Sequence, residues 1–156
     1  HYPLRRQRQM CIRDRIRTLH QIQREVFQSY QQFFPIFPPL WETIDDFQDY
    51  LRGKEVLVVW LNGIPLGFLA YFTLGKTCVV DRICIMQSSL PTELLSALIT
   101  FLEETKEFHQ KIYLELPLPL SEMITHFLNL GFSPCGMIYR FSPSCPFIGL
   151  RRGNHE

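Results

Sequence analysis

Glu55-Val56-Leu57-Val58-Val59-Trp60-Leu61-Asn62-Gly63-Ile64-Pro65-Leu66-Gly67-Phe68-Leu69-Ala70 is the stretch that decides the fold. Seven residues dominated by β-branched and aromatic side chains read as a buried strand. Asn62-Gly63 is the preferred pair for a two-residue hairpin turn, because both central positions need positive φ. Ile64 to Leu74 then reads as the returning strand, Gly75-Lys76 as a second turn, and Thr77 to Met86 as a third strand. The result is a three-stranded antiparallel meander.

Upstream, Ile16, Leu19, Ile22, Val26 and Phe27 recur at three- and four-residue spacing, which predicts a helix from Ile16 to about Tyr30. Phe33-Phe34-Pro35-Ile36-Phe37-Pro38-Pro39 cannot continue it, since proline removes donors and forces its predecessor into extended geometry. A second helix is expected from Thr43 to Leu51, with Asp45 and Asp46 at its positive end and Gly53 as its stop. Downstream of the meander, Leu94, Leu95, Leu98, Phe101 and Leu102 mark a helix reaching about Phe108. Lys111 to Leu116 reads as a strand, Ser121 to Leu130 as a helix closed by Gly131, and Gly136 to Phe141 as the last strand.

The totals exclude several classes. With 46% hydrophobic and 20% charged residues, the 156-residue chain is an ordinary globular composition. No apolar run nears the roughly 20 residues needed to span a bilayer, so a cytoplasmic protein without a membrane partner is expected. Cys11, Cys78, Cys84, Cys135 and Cys145 are scattered, with no metal-ligand spacing, and read as reduced thiols. The net charge of +1 hides an asymmetry: between positions 16 and 150, nine basic residues face thirteen acidic ones. A body of that sign offers no electrostatic footprint for nucleic acid. Met10-Cys11-Ile12-Arg13-Asp14-Arg15 reads as an in-frame translation of a sequencing adaptor. Residues 1–15 are therefore expected to be a non-native segment, 16–143 the domain, and 144–156 a loose tail.

With this order of elements, the chain resembles the GNAT family of acyl-CoA-dependent N-acyltransferases. The resemblance rests on Trp60 to Ala70, on Val80-Asp81-Arg82-Ile83-Cys84-Ile85, on Ile112-Tyr113-Leu114-Glu115-Leu116, and on Ile124 to Phe132 with its Leu-Gly-Phe ending. It implies an α+β fold, a mixed and mostly antiparallel sheet flanked by helices. With residues 1–15 set aside, it also implies that the family's first strand is missing.

The function that the resemblance implies is transfer of an acyl group, in the first instance acetyl, from acyl-CoA to a small-molecule or peptide amine. Acetyl-CoA or another acyl-CoA is then the co-substrate. Backbone groups of Ile83 and Ile85 would line the pantetheine arm, and Thr92 and Leu94 fall on the segment that holds the pyrophosphate. Asp81 is the candidate general base and Tyr139 a candidate proton donor. Arg82, by strand alternation, points to the opposite face and is read as structural. The wording departs from the family at two places. Leu90 to Leu95 lacks the usual glycines and carries Glu93 where a diphosphate would sit, and Phe127 stands where the family's tyrosine is expected. A catalytically silent binding or regulatory domain is therefore the alternative.

Overall fold

A computed structural model describes residues 4–6, 12–86, 92–105, 111–141 and 143–153. Its strands are β1 (Leu4–Arg6), β2 (Glu55–Leu61), β3 (Ile64–Leu74), β4 (Thr77–Ile85), β5 (Lys111–Pro117), β6 (Ser133–Tyr139) and β7 (Pro146–Gly153). Its helices are α1 (Ile12–Gln28), α2 (Ile44–Leu51), α3 (Thr92–Thr105) and α4 (Ser121–Asn129). The strands lie in the order β1-β2-β3-β4-β5-β7-β6. The β4–β5 ladder is parallel, while the β1–β2, β2–β3, β5–β7 and β6–β7 ladders are antiparallel. This is the mixed, mostly antiparallel α+β sheet expected from the sequence. The chain divides into two compact units, residues 1–71 with 82–90, and residues 72–81 with 91–156.

In the first unit the hairpin forms as its turn chemistry requires. Asn62 and Gly63 adopt φ of 52° and 79°, the left-handed pair that a primed turn needs. β2 and β3 pair from Glu55↔Tyr71 to Leu61↔Ile64, with a register shift after Val59. Short 3-10 turns at Ser29–Gln32 and Pro38–Trp41 carry the proline-rich connection that α1 cannot enter. α2 starts at a reciprocal capping box in which Thr43 Oγ1 accepts from the Asp46 N–H and Asp46 Oδ2 accepts from the Thr43 N–H, both at 3.0 Å. Its buried Phe47 sits 5.8 Å, ring to ring, from Phe68 of β3. Burial of such a side chain stabilises by roughly 1.5–3 kcal/mol, which fixes α2 over the meander.

In the second unit the core combines Cys78 and Val80 of β4, Leu95 and Leu98 of α3, and Ile112, Leu114 and Leu116 of β5. Phe127 of α4 packs edge-on against Phe132 at 5.2 Å. After α4 the chain turns at Gly131, whose φ of 96° closes the helix as expected.

Two expectations are corrected. The segment from 144 is not loose: Pro146–Gly153 forms β7, inserted between β5 and β6 and paired with β5 from Phe147 to Gly153. Phe147 and Leu150 are buried, and Pro146 is tolerated because it opens the strand. The position of the first strand is also filled, since Leu4–Arg6 pairs antiparallel with Val59–Leu57. Both strands are held by partners distant in sequence, and local composition does not register that kind of stabilisation.

Candidate functional site

β4 changes character along its length. Its ladder with β5 runs from Thr77↔Lys111 to Val80↔Leu114 and ends there, while β4 continues for five residues to Ile85. At the start of the strand the Lys111 N–H donates to the Lys76 carbonyl at 3.3 Å, so even-numbered residues turn their backbone toward β5. At the far end the Met86 N–H donates to the Leu66 carbonyl of β3 at 3.3 Å, so even-numbered residues there turn toward β3. The strand therefore slips by one residue in phase, the signature of a bulge. Three consecutive buried residues, Ile83, Cys84 and Ile85, mark the same irregularity. Strand alternation from Met86 then turns the N–H and C=O of Ile85 and Ile83 to the edge away from β3.

Gly67 makes this arrangement possible. A Cβ added there would lie 2.5 Å from the Cys84 carbonyl oxygen and 2.8 Å from the Ile85 Cα. No side chain fits between β3 and this half of β4.

Asp81 is exposed and stands at the end of the β5 ladder. In the same unit Glu115 accepts from Arg140 Nε (2.8 Å, at Oε1), from Arg140 Nη2 (2.8 Å, at Oε2) and from the Tyr113 hydroxyl (2.6 Å, at Oε2). Burial opposes the charge of Glu115, but the hydrogen bonds from Arg140 and Tyr113 win and hold its carboxyl below the ordinary value. Arg140 also feels the charge of Asp81, which favours the guanidinium form after its bond to Glu115 is counted. Tyr113 is pushed well above the usual phenol range, by burial and by its acceptor Glu115.

Tyr139 is not brought beside Asp81. It lies on β6, with β7 and β5 between it and β4, which is roughly 14 Å or more at the spacing of neighbouring strands.

A second polar centre, in the first unit, is more buried. Arg82 donates through Nη1 to Glu42 Oε1 (2.9 Å) and Gln23 Oε1 (2.9 Å), and through Nη2 to Glu42 Oε2 (2.7 Å). Gln23 Nε2 donates onward to Glu42 Oε1 at 3.0 Å and to the Pro39 carbonyl at 3.2 Å. His20 Nε2 lies 2.7 Å from the Glu42 carbonyl oxygen. The guanidinium carbon stacks 3.5 Å from the centre of the Tyr50 ring. Burial disfavours the Arg82 charge, yet its bonds to Glu42 hold it above its ordinary value. The network ties α1, the segment before α2, and β4 together. Sequence reading took Arg82 as structural but did not identify its partners. The signal was His20 and Gln23, two polar residues inside the apolar stripe of α1.

Comparison with solved structures follows from this geometry. A ribosomal-protein-alanine N-acetyltransferase from Brucella melitensis superposes with a TM-score of 0.71 at 13% identity, over 97% of this chain and 99% of its own. A probable acetyltransferase from Staphylococcus epidermidis gives 0.75 at 6% identity, over 99% and 100%. The spermidine N-acetyltransferase of Vibrio cholerae, in complex with CoA and spermine, gives 0.71 at 12% identity, over 96% and 94%. This chain has the GNAT fold. No family sequence model and no curated protein sequence matches it.

Within the GNAT fold the remaining sequence-predicted residues sort as follows. Thr92 and Leu94 lie in the first turn of α3; the loop before it, residues 87–91, lies outside the described residues. Phe127 is a core residue of α4. Cys84 is fully buried, and burial pushes its thiol far above the ordinary value, so it is not a nucleophile at neutral pH. Between α1 and α2, Phe34 and Phe37 stack at 5.8 Å inside the core with Phe27 and Tyr30, whereas Trp41 is 64% exposed. Among the described residues no cluster of His, Cys, Asp or Glu is placed to hold a metal ion.

Proposed function

We propose that this chain is an acyl-CoA-dependent N-acyltransferase acting on a small-molecule or peptide amine. The observation that carries the reading is the backbone of Ile83 and Ile85, turned away from β3 beyond the end of the β5 ladder. An extended pantetheine arm, with its alternating amides, bonds to such an edge as an added strand does. Support comes also from neighbours of the same fold, one of which is described in complex with CoA and spermine.

Acyl-CoA, when bound, supplies an activated thioester. The chain's own groups then do three things. The β4 edge orients the arm, a backbone N–H of β4 donates to the carbonyl oxygen as negative charge develops there, and Asp81 or a water it orders takes the proton that the amine loses. The N–C bond forms as the C–S bond breaks, and the thiolate leaves to be protonated. Asp81 is the base in this reading, and Tyr139 lies three strands away on β6.

A second reading, a GNAT-fold domain without acyl transfer, is favoured by the core placement of Phe127, which leaves no phenol where the family's proton donor is expected. Incubation with acetyl-CoA and a panel of polyamines, lysine peptides and peptides with free N-termini, followed by thiol release, separates the two. Acyl transfer is expected, with Asp81→Asn lowering kcat by about 10²–10⁴-fold. Binding of CoA without transfer to any acceptor would favour the silent domain.

A further inference from the structure

β6 is the terminal strand of the sheet, and every residue from Ser133 to Tyr139 is exposed. Its inner edge is fully used. The Arg140 N–H donates to the Cys145 carbonyl at 3.1 Å, and the register Ile138↔Phe147 and Met137↔Ile148 continues from that pair. In an antiparallel ladder hydrogen-bonded and non-hydrogen-bonded pairs alternate, so Ile138 bonds inward while Met137 and Tyr139 turn their N–H and C=O outward.

Natural edge strands are protected by charge, proline or a bulge. β6 carries such protection only at its start, in Pro134 and in the register shift between Pro134 and Gly136. The half that follows contains no charged residue and presents Met137 (55% exposed) and Tyr139 (58%) on one face and Ile138 (37%) on the other. Arg140, the next residue, is occupied by Glu115.

We propose that β6 is a homodimer interface, pairing antiparallel with β6 of a second copy about a two-fold axis through Ile138. The geometry selects this occupant. Outward-facing residues must oppose one another, and an axis at Ile138 sets Met137 against Tyr139 of the second copy twice, which makes four backbone hydrogen bonds. The same axis stacks Met on Tyr on one face, a favourable sulfur–aromatic contact, and Ile138 on itself on the other. It opposes Arg140 to Gly136, so no like charges meet. With side-chain areas on the order of 200 Å², the exposed parts of Met137, Ile138, Tyr139 and the flanking Phe141 amount to about 400 Å² per copy. With the neighbouring exposed residues, this is the scale of a small, concentration-dependent interface rather than an obligate one. The interface is independent of acyl-CoA chemistry.

Sedimentation of the full chain across micromolar to submillimolar concentrations tests the pairing. The chain of 18.5 kDa is expected to shift reversibly to a species of twice that mass. Met137→Lys is expected to weaken association at least tenfold. Tyr139→Pro removes only an outward donor and is expected to do the same; its thermal melt checks that the β7 ladder survives. If one variant fails to fold, the other decides. A chain that stays monomeric throughout, or a dimer that neither variant weakens, overturns the proposal.

Discussion

Arg82 and Glu42, forty positions apart, meet in a bidentate ion pair of 2.9 and 2.7 Å that joins β4 to the segment leading into α2. Both side chains are largely buried. Removing one partner leaves the other charge stranded, which typically costs about 3–5 kcal/mol. Glu42→Ala and Arg82→Ala are each expected to lower stability on that scale in urea denaturation. The double variant Glu42→Gln with Arg82→Met is expected to be more stable than either single one. A double variant destabilised by the sum of the two single ones would show that the pair is not coupled.

Gly67 is tested by one methyl group. The atoms that a Cβ would strike are the backbone of Cys84 and Ile85, which cannot rotate away. Gly67→Ala is expected to cost about 1–3 kcal/mol or more, as overpacking does. Gly63→Ala, with open space around it but a φ of 79°, is expected to cost about 1 kcal/mol through backbone strain alone. Urea midpoints of the two variants, compared with the parent, check the order.

Acid lability follows from Glu115. Its folded-state carboxyl titrates below the ordinary value of 4.5, so its bonds to Arg140 and Tyr113 stabilise the fold above that pH. The contribution disappears as pH falls through the lowered value, because unfolded and folded forms are then both protonated. Arg140 is half exposed, which limits the effect. Glu115→Gln is expected to lose about 1 kcal/mol at pH 7, and less as the pH falls below the lowered value of the carboxyl. Denaturation of both proteins over pH 2–8 measures it.

Thiol labelling separates Cys84 from Cys135. Cys84 is buried with its thiol held protonated, whereas Cys135 is exposed on β6. A brief treatment with iodoacetamide at pH 7.5 is expected to modify Cys135 and spare Cys84 until denaturant is added, as read by peptide mass mapping. Rapid native labelling of Cys84 would show that this half of β4 opens readily.

The meander was legible because its turn chemistry is local: the sequence-predicted bounds of β2 and β3 coincide with those observed. α1 and α2 differ only at their ends, and β6 begins three residues earlier than expected. What local reading did not provide was pairing across long separations. β7 looked loose because it contains Pro146, Arg151 and Arg152, yet it is paired with β5 and β6. The phase slip within β4 depends on hydrogen bonds of Lys76 and Met86 that no local pattern encodes. Tyr139 was chosen by residue type alone, and strand order separates it from Asp81.

The central claim, that the Ile83–Ile85 edge receives the pantetheine arm of an acyl-CoA, is tested most directly by titrating the folded chain with CoA in a calorimeter. The account predicts saturable one-to-one binding in the micromolar range, weakened at least tenfold by Gly67→Ala, which displaces the edge, and a matching rise in thermal stability of about 2.7 kcal/mol at a hundredfold excess over Kd. No heat and no stabilisation at millimolar CoA would contradict it.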